Sequence, residues 1–208
     1  MNYFYNKKVA VFTIFVTVFA TATAQKYFQG YSGGMMLHTG YVWGGSVHTQ
    51  RFPEKIKIEG MPFGIGGLLR FHLGKHLCIG GEGYNSTLFY GKNKSNTTLS
   101  WGGLLIDYQY EIKKFTVFSG GTVGGGSVKN ITVFADVSNP NAENAVYQRY
   151  AIMLINPFIG TEYALSPKIH LIMKADYLIN ITAKRSDFAT GFRIYAGFVF
   201  FHGRKNAE

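Results

Sequence analysis

The sequence predicts an all-β protein, an eight-stranded antiparallel up-and-down transmembrane β-barrel. The stretch Ile169 to Asn180 alternates, residue by residue, between an apolar face and a polar face, which is the pattern of a β-strand between two different surroundings. It is longer than the common strand of about 5 to 6 residues and matches the roughly 9 to 11 tilted residues that cross a bilayer. The alternation of turns with loops and the amino-acid composition both agree with this prediction.

The composition favours a thin β-wall over a helical core. Charged residues make up 15% of the chain, aromatic residues make up 16%, and there are 26 glycines, whereas an average protein is about 25% charged. Aromatic residues are enriched in strands, and glycine relieves crowding where backbones approach closely. Cys78 is the single cysteine, so an exported chain must be stable without an internal disulfide. A closed, hydrogen-bonded barrel meets that requirement.

The N-terminus predicts export. Lys7 and Lys8 precede an apolar run that ends at the small residues Ala22-Thr23-Ala24, as in a cleaved secretory signal peptide. We therefore expect a signal peptide over 1–24 and a mature chain over 25–208. A membrane-anchoring helix is the alternative, but the apolar run is too short to span comfortably. No later apolar segment is long enough for a helical span, so any membrane crossing must use strands.

The mature chain is predicted to form one barrel domain, with strands over about 33–201 and a short C-terminal tail. In the first strand Met35, Leu37, Thr39, Tyr41 and Trp43 share one face, and the fourth strand alternates clearly at its far end, from Leu104 to Ile112. The third strand is weakly patterned around Gly80-Gly81, so its register is less secure. The predicted ranges of these strands are about 33–45, 61–73, 76–90 and 98–112.

The last four strands differ in the quality of their patterns. The fifth begins at Phe115 and becomes glycine-rich, so the sequence fixes neither its faces nor its end. Pro157 lies within the sixth strand, where it is tolerated only at an edge, a bulge or a locally loosened ladder. The eighth strand places Phe192 to Phe200 outward at every second position. The sixth, seventh and eighth strands are predicted over about 150–165, 169–180 and 191–201.

The connections alternate between short turns and long polar loops. Eight antiparallel strands with both termini on one rim require three turns on that rim and four loops on the other. An even number of strands also lets the last pair with the first, which removes free edges. The predicted turns are 74–75, 113–114 and 166–168, and the predicted loops are 46–59, 91–97, 129–148 and 182–190.

On these features, residues 33–201 resemble the small eight-stranded outer-membrane barrels of the OmpA/OmpX type. Phe198 and Phe200 resemble the aromatic ending of such barrels, although the tail from His202 to Glu208 departs from it. The resemblance implies an outer-membrane location in a Gram-negative bacterium, with short periplasmic turns and longer surface loops. Outer-membrane lipid and lipopolysaccharide are the implied surroundings, and the loops would meet extracellular partners.

Two sets of residues are predicted to be structurally important. The first is a lumen charge network at inward positions, which would plug a barrel whose interior is just wide enough to be filled by side chains; a narrow polar conduit or proton-sensitive gate is the alternative. The second is an outward girdle of aromatic rings at the lipid headgroups. The predicted network comprises Arg70, Glu82, Asp107, Glu111, Glu162, Lys174, Asp176 and Arg193, and the predicted girdle comprises Tyr41, Trp43, Tyr108, Tyr110, Tyr163 and Tyr177.

Other chemistry finds little support in the sequence. The glycine run Gly121 to Gly126 lacks the Lys-Ser/Thr and the helix of a phosphate loop, and the histidines do not cluster at metal-ligand spacing. The basic residues concentrate in loops and turns, where they suit lipopolysaccharide, and they form no strand-borne stripe for nucleic acid. We therefore expect no catalytic residue, no metal and no cofactor.

Three functional hypotheses follow. The first is a non-enzymatic outer-membrane barrel with a plugged lumen and surface loops that bind a partner. The second is a soluble secreted barrel of the lipocalin type, whose apolar face would line a ligand cavity and whose charges would face water. The third is a barrel-embedded lipid-modifying enzyme that would depend on Ser46, His48 or His38.

Overall fold

The computed structural model describes residues 28–48, 55–91, 95–134, 145–182 and 185–203. The predicted signal peptide, most of the C-terminal tail and parts of the predicted loops lie outside the described residues. Within them the chain forms nine strands and no helix. The strands are β1 Phe28–Val47, β2 Ile56–Gly60, β3 Phe63–Leu73, β4 Leu77–Tyr90, β5 Ser95–Ile112, β6 Phe115–Val133, β7 Ala145–Ala164, β8 Ile169–Asn180 and β9 Thr190–His202.

The strands close into an antiparallel ring. Each strand from β3 to β9 pairs with the next, and β9 returns to pair with β1, which also pairs with β3. β2 pairs only with the far end of β1, from Val42 to Val47. Met61 and Pro62 separate β2 from β3. Because both strands pair with β1, we count them as one interrupted strand, the second of the eight predicted. The predicted eight-stranded up-and-down barrel is confirmed.

The register defines the tilt of the strands. The ladder of paired residues from Gly30 leads once around the ring and returns to β1 at Gly40, ten residues further along. A stagger of this size in an eight-stranded barrel requires a tilt of about 40°. The tilt brings residues that are distant in sequence to one level of the lumen.

The two faces of the wall are sorted as the period-two pattern predicts. Leu104 is 80% exposed and Ile194 is 55% exposed, while Arg70, next to the outward Leu69, is fully buried. The predicted outward and inward positions of β1, β3, β8 and β9 are confirmed by the alternation of exposed and buried residues. β6, whose faces the sequence leaves open, buries even-numbered residues such as Phe118 and Val128.

The predicted loops are too long. β2 lies inside the predicted 46–59 loop, β5 begins at Ser95, and β6 and β7 extend to Val133 and from Ala145. These stretches were predicted to be loops because they carry polar residues such as Lys57, Ser95, Lys129 and Arg149.

Pro157 lies where the ladder between β7 and β8 is interrupted. Ile155 pairs with Ile179 and Phe158 pairs with Asp176, but neither Asn156 nor Pro157 has a partner in β8. Proline has no N–H to donate, so the loosened ladder accommodates it as the sequence predicts.

Among the described residues there is no helix that is long and apolar enough to span a membrane.

Candidate functional site

The lumen holds a cluster of charges near the turn rim, defined as the rim with turns 74–76, 113–114 and 165–168. The Arg70 guanidinium is fully buried and bonds the carboxylates of Glu162 and Asp107, the latter at 3.4 Å. His170 Nδ1 lies 3.2 Å from the second oxygen of Glu162. Phe118 packs against the guanidinium at 5.1 Å from its ring centre. Arg70 thus joins β3 to β5, β6 and β7, and Glu162 extends the cluster to β8 through His170.

A second cluster fills the middle of the lumen. Lys174 Nζ donates to Glu82 at 2.6 Å and lies 3.9 Å from Asp176. Glu82 also accepts from Thr122 at 2.6 Å, and Asp176 accepts from the Asn156 amide at 2.8 Å. All of these side chains are buried, so their charges interact in a low local dielectric.

Aromatic rings surround the Lys174 ammonium group. Its nitrogen lies 4.4 Å from the centre of the Tyr195 ring and 4.9 Å from the centres of both the Tyr84 and Phe158 rings. Faces of aromatic rings attract cations, and the attraction is stronger when water is excluded. The rings therefore stabilise the charge and leave little open lumen beside it.

Arg193 lies nearer the loop rim and differs from Arg70 and Lys174 in its partners. It is 2% exposed, yet its Nε and Nη1 atoms have no hydrogen-bond partner among the described residues. Asp176 pairs with it in the backbone ladder, but no carboxylate oxygen within the described ranges forms an ion pair with Arg193. Arg193 is thus buried opposite the carboxylate of Asp176 but outside ion-pair distance of it.

Glu111 is not buried in the lumen. It has the inward phase of β5, but it is exposed and stands one residue before the end of the strand. The barrel mouth is open to water at this level, so an inward position no longer implies burial. The other seven residues of the predicted network are all buried.

The six predicted girdle residues lie outside the barrel at two levels. Toward the loop rim, Trp43 lies 6.2 Å from Tyr41 and 6.3 Å from Tyr177, measured between ring centres. Toward the turn rim, Tyr108 stacks on His76 at 5.1 Å, and Tyr163 contacts Phe115 at 5.0 Å. Tyr110 also stacks on His76, at 6.1 Å.

The segment after β8 folds against the loop rim of the barrel. Asp187 is 5% exposed and accepts from the Asn130 amide at 3.0 Å and from Arg185 Nε at 3.1 Å. Arg185 lies 3.7 Å above the centre of the Tyr150 ring, and Phe188 packs on the main lumen cluster. These contacts hold residues 185–189 over the opening.

Exposed cations surround this opening. Lys129 on β6 and Arg149 on β7 are both exposed and are direct cross-strand partners. Lys55, Lys57 and Arg185 are also exposed. The predicted loop cations Arg51, Lys92, Lys94 and Lys184 lie outside the described residues.

Two residues of the enzyme hypothesis, Ser46 and His48, line one pocket at the loop rim together with Asp187. The Asp187 carboxylate accepts from Asn130 and Arg185, the buried Ser46 donates its backbone N–H to the Ser186 carbonyl, and His48 is exposed just after β1. His38 lies deeper, with its ring 4.8 Å from that of Tyr195. Within the described ranges, no group of three or more His, Cys, Asp and Glu residues could hold a metal ion.

Sequence reasoning missed a hydrogen-bonded chain near the turn rim. His72 Nε2 lies 2.8 Å from Ser32 Oγ, and its Nδ1 lies 3.1 Å from Cys78 Sγ. His72 and Cys78 are register partners on β3 and β4, and His72 also pairs with Gly30 of β1. Their shared inward phase was visible in the sequence, but their contact required the register.

The same fold occurs in small outer-membrane barrels of known structure. The attachment invasion locus protein Ail of Yersinia pestis, in complex with the heparin analogue sucrose octasulfate, has a TM-score of 0.54 at 10% identity, over 84% of this chain and 99% of that chain. OprG from Pseudomonas aeruginosa has a TM-score of 0.56 at 12% identity, over 86% and 98%. Neisserial surface protein A has a TM-score of 0.50 at 10% identity, over 84% and 96%.

No known protein-family profile matches the chain, and no curated protein matches its sequence. The identities to the solved barrels are low, so these similarities concern the fold. At that level the predicted resemblance to small outer-membrane barrels is confirmed.

Proposed function

We propose that this chain is an integral outer-membrane β-barrel of a Gram-negative bacterium, exported through a cleaved signal peptide, with a closed lumen and a ligand-binding loop rim. One observation carries the membrane part of the proposal. Among the described strand residues, the outward positions carry no charged side chain except Lys57, Glu59, Lys129 and Arg149, which all lie toward the loop rim.

The outer face suits lipid. It presents Leu104, Phe89 and Met153 at 80%, 72% and 59% exposure, and it continues around the ring. Soluble monomers rarely expose such a large continuous apolar surface, whereas outer-membrane barrels carry an apolar band about 25 Å tall. The two levels of aromatic rings are suited to the two edges of such a band. A lipocalin-type barrel requires the opposite sorting of faces.

The closed lumen is supported by the density of its side-chain contacts. The Arg70 cluster, the Lys174 cluster and the apolar residues beneath Phe188 occupy successive levels of one narrow barrel. A conducting pore needs a continuous polar path, and these levels interrupt one. We therefore assign the lumen a structural role and no catalytic one.

The loop rim is suited to phosphate or sulfate groups on saccharides. Lys129 and Arg149 face each other across two strands, and like charges in that position repel each other. A bound anion with several charges removes this repulsion, and arginine and lysine both bind such groups. Ail, which shares the fold, was solved with a heparin analogue, and this supports a polyanionic ligand at the rim.

The charge-neutralising variant Lys129→Gln/Arg149→Gln tests this role. We expect it to weaken binding to immobilised heparin and to reduce the salt dependence of binding, since two cationic contacts are lost. The matched control is Lys75→Gln/Lys168→Gln, which removes two exposed charges from the turn rim and should leave binding unchanged. The measurement is the dissociation constant of detergent-solubilised protein at several salt concentrations.

Purified lipopolysaccharide and its dephosphorylated form provide the second arm. Stronger binding to phosphorylated lipopolysaccharide than to heparin assigns the rim to the cell's own membrane, and the reverse assigns it to an external glycan. Equal losses in the rim variant and in the turn-rim control would contradict the proposal.

A further inference from the structure

A shallow groove, the wall groove, crosses the outer face of the barrel from β6 to β3 and is open on the outside. Its floor is a row of four outward glycines, each the direct cross-strand partner of the next, Gly67, Gly83, Gly102 and Gly125. The row spans three strand spacings, about 14 Å. Along this length the outer face presents bare backbone, and two adjoining depressions meet at Gly83.

The two walls of the groove differ in polarity. The wall toward the turn rim is apolar and includes Leu69 and Leu104, the latter 80% exposed. The wall toward the loop rim is polar, because Asn85, Ser100 and Ser127 are successive cross-strand partners on the outward face. The groove therefore offers hydrogen-bonding groups along one side and apolar contacts along the other.

The close approach of strands does not explain every glycine of the floor. A Cβ atom on Gly67 or Gly102 would lie 2.4 Å or 2.8 Å from a backbone oxygen, so these two positions need glycine. A Cβ atom on Gly83 would lie 3.5 Å from its nearest neighbour, the Trp101 carbonyl oxygen, and the φ of Gly83 is not positive. The fold accepts a side chain at Gly83, and that side chain would fill the groove.

The groove slopes downward from the loop rim. One circuit of the ladder rises by ten residues of β1, which at the tilt of these strands is about 3 Å for each strand. Gly125 therefore lies about 9 Å nearer the loop rim than Gly67. Beyond Gly125, the outward face of β6 continues with Ser127 and Lys129, and Lys129 pairs with Arg149. The upper end of the groove thus lies below the cationic pair.

This order of features matches the parts of one acylated, phosphorylated sugar lipid. Lys129 and Arg149 suit a phosphate group. Asn85 is exposed on the outer face, where a polar group costs free energy unless it is hydrogen-bonded, and an amide or hydroxyl of the ligand supplies that bond. The bare glycine floor lets an acyl chain approach the backbone closely and gain dispersion contacts, as small residues do between membrane helices.

We propose that the wall groove binds one lipopolysaccharide molecule of the outer leaflet, with a phosphate at Lys129 and Arg149 and one acyl chain along the floor from Gly125 to Gly67. The inference rests on the proposed outer-membrane location and on the proposed anion-binding role of the Lys129–Arg149 pair. It adds a subsite for an acyl chain, which a soluble polyanion does not use.

Gly83→Leu tests the subsite because it fills the groove and keeps both cations. We expect it to weaken lipopolysaccharide binding about tenfold, which corresponds to the loss of roughly ten carbon contacts, and to leave heparin binding unchanged. Gly121→Leu is the matched control, since a Cβ atom on this outward glycine has its nearest neighbour at 3.8 Å and Gly121 lines neither depression. The measurement is native mass spectrometry of the mature protein in detergent, titrated with purified lipopolysaccharide.

The outcomes separate the groove from the rim. If Gly83→Leu binds lipopolysaccharide as the wild type does while Lys129→Gln/Arg149→Gln loses heparin, the acyl-chain subsite is wrong and the anion-binding rim stands. If Lys129→Gln/Arg149→Gln keeps both ligands, both proposals are wrong. Equal losses of lipopolysaccharide in Gly83→Leu and Gly121→Leu would also overturn the subsite.

The wild-type protein provides a readout that does not depend on the folding of any variant. Met35 and Met153 flank the two ends of the glycine row, and Met173 lies outward on β8, away from the groove. In nanodiscs with one equivalent of lipopolysaccharide that carries a nitroxide on an acyl chain, the methyl signals of Met35 and Met153 should broaden more than that of Met173. Equal broadening of all three would show only the lipid that surrounds the barrel and would overturn the proposal.

Discussion

Arg70→Met is expected to lower the free energy of unfolding by about 3–5 kcal/mol, the usual cost of removing one partner from a buried ion pair. Arg70 is fully buried and bonds both Glu162 and Asp107. Its loss leaves two carboxylates at one level of the lumen without their cation, while His170 remains beside Glu162. The measurement is reversible urea unfolding in phospholipid vesicles, followed by tryptophan fluorescence from Trp43 and Trp101.

Neutralising the stranded carboxylates should restore much of this loss. The triple variant Arg70→Met/Asp107→Asn/Glu162→Gln keeps the volume of the cluster and removes its charges, and we expect it to unfold at a higher urea concentration than Arg70→Met. Arg185→Met is the control, since the Arg185 side chain is 41% exposed and such pairs contribute about 0–1 kcal/mol. Equal losses in Arg70→Met and Arg185→Met would contradict the role of the cluster.

Lys174→Met is the second substitution with a large expected effect, again about 3–5 kcal/mol. Lys174 neutralises Glu82 at 2.6 Å and lies among three aromatic rings. Methionine fits the rings but leaves Glu82 without the cation that it bonds. Urea unfolding of Lys174→Met, of Glu82→Gln and of the double variant forms a cycle, which should give a coupling energy of at least about 1 kcal/mol.

The same cluster bears on the closed lumen. The proposed closed lumen predicts that the wild-type protein produces no stepwise ion current in planar lipid bilayers, because the Lys174 cluster, the Arg70 cluster and the apolar level beneath Phe188 would block the barrel in series. Regular current steps from the wild-type protein would favour a conduit. If the effects of Lys174→Met and Glu82→Gln on the free energy of unfolding simply add in the double variant, the coupling of Glu82 with Lys174 is contradicted.

The faces of the strands were predictable from the sequence because the two sides of a barrel wall have different surroundings, which impose different residues at alternate positions. Ile169 to Asn180 shows this most clearly: its predicted and observed bounds coincide. The extensions of β6 and β7 were not predicted, because both lie in the polar stretch that was predicted to be the 129–148 loop. Glu111 shows the same limit at the turn rim, where the inward phase continues but burial ends.

The partners within the lumen were not predictable from the sequence. Glu82 and Lys174 are 92 positions apart, and their contact depends on the stagger of the whole ring as well as on the phase of each strand. The sequence predicted only that three basic and five acidic inward residues could pair most of their charges within the lumen. Which carboxylate each cation contacts emerges only when the positions of Asp176, Lys174 and Asn156 relative to one another are known.

The orientation of the wall is the central claim, and site-directed spin labelling tests it most directly. In a Cys78→Ala background, single labelled cysteines at Leu104 and Ile194 would report the outer face in lipid vesicles, and one at Lys75 would report the turn rim. We predict that the labels at Leu104 and Ile194 collide with oxygen and are shielded from a water-soluble nickel chelate, while the label at Lys75 behaves in the opposite way. Labels at Leu104 and Ile194 that collide freely with the chelate would contradict the claim.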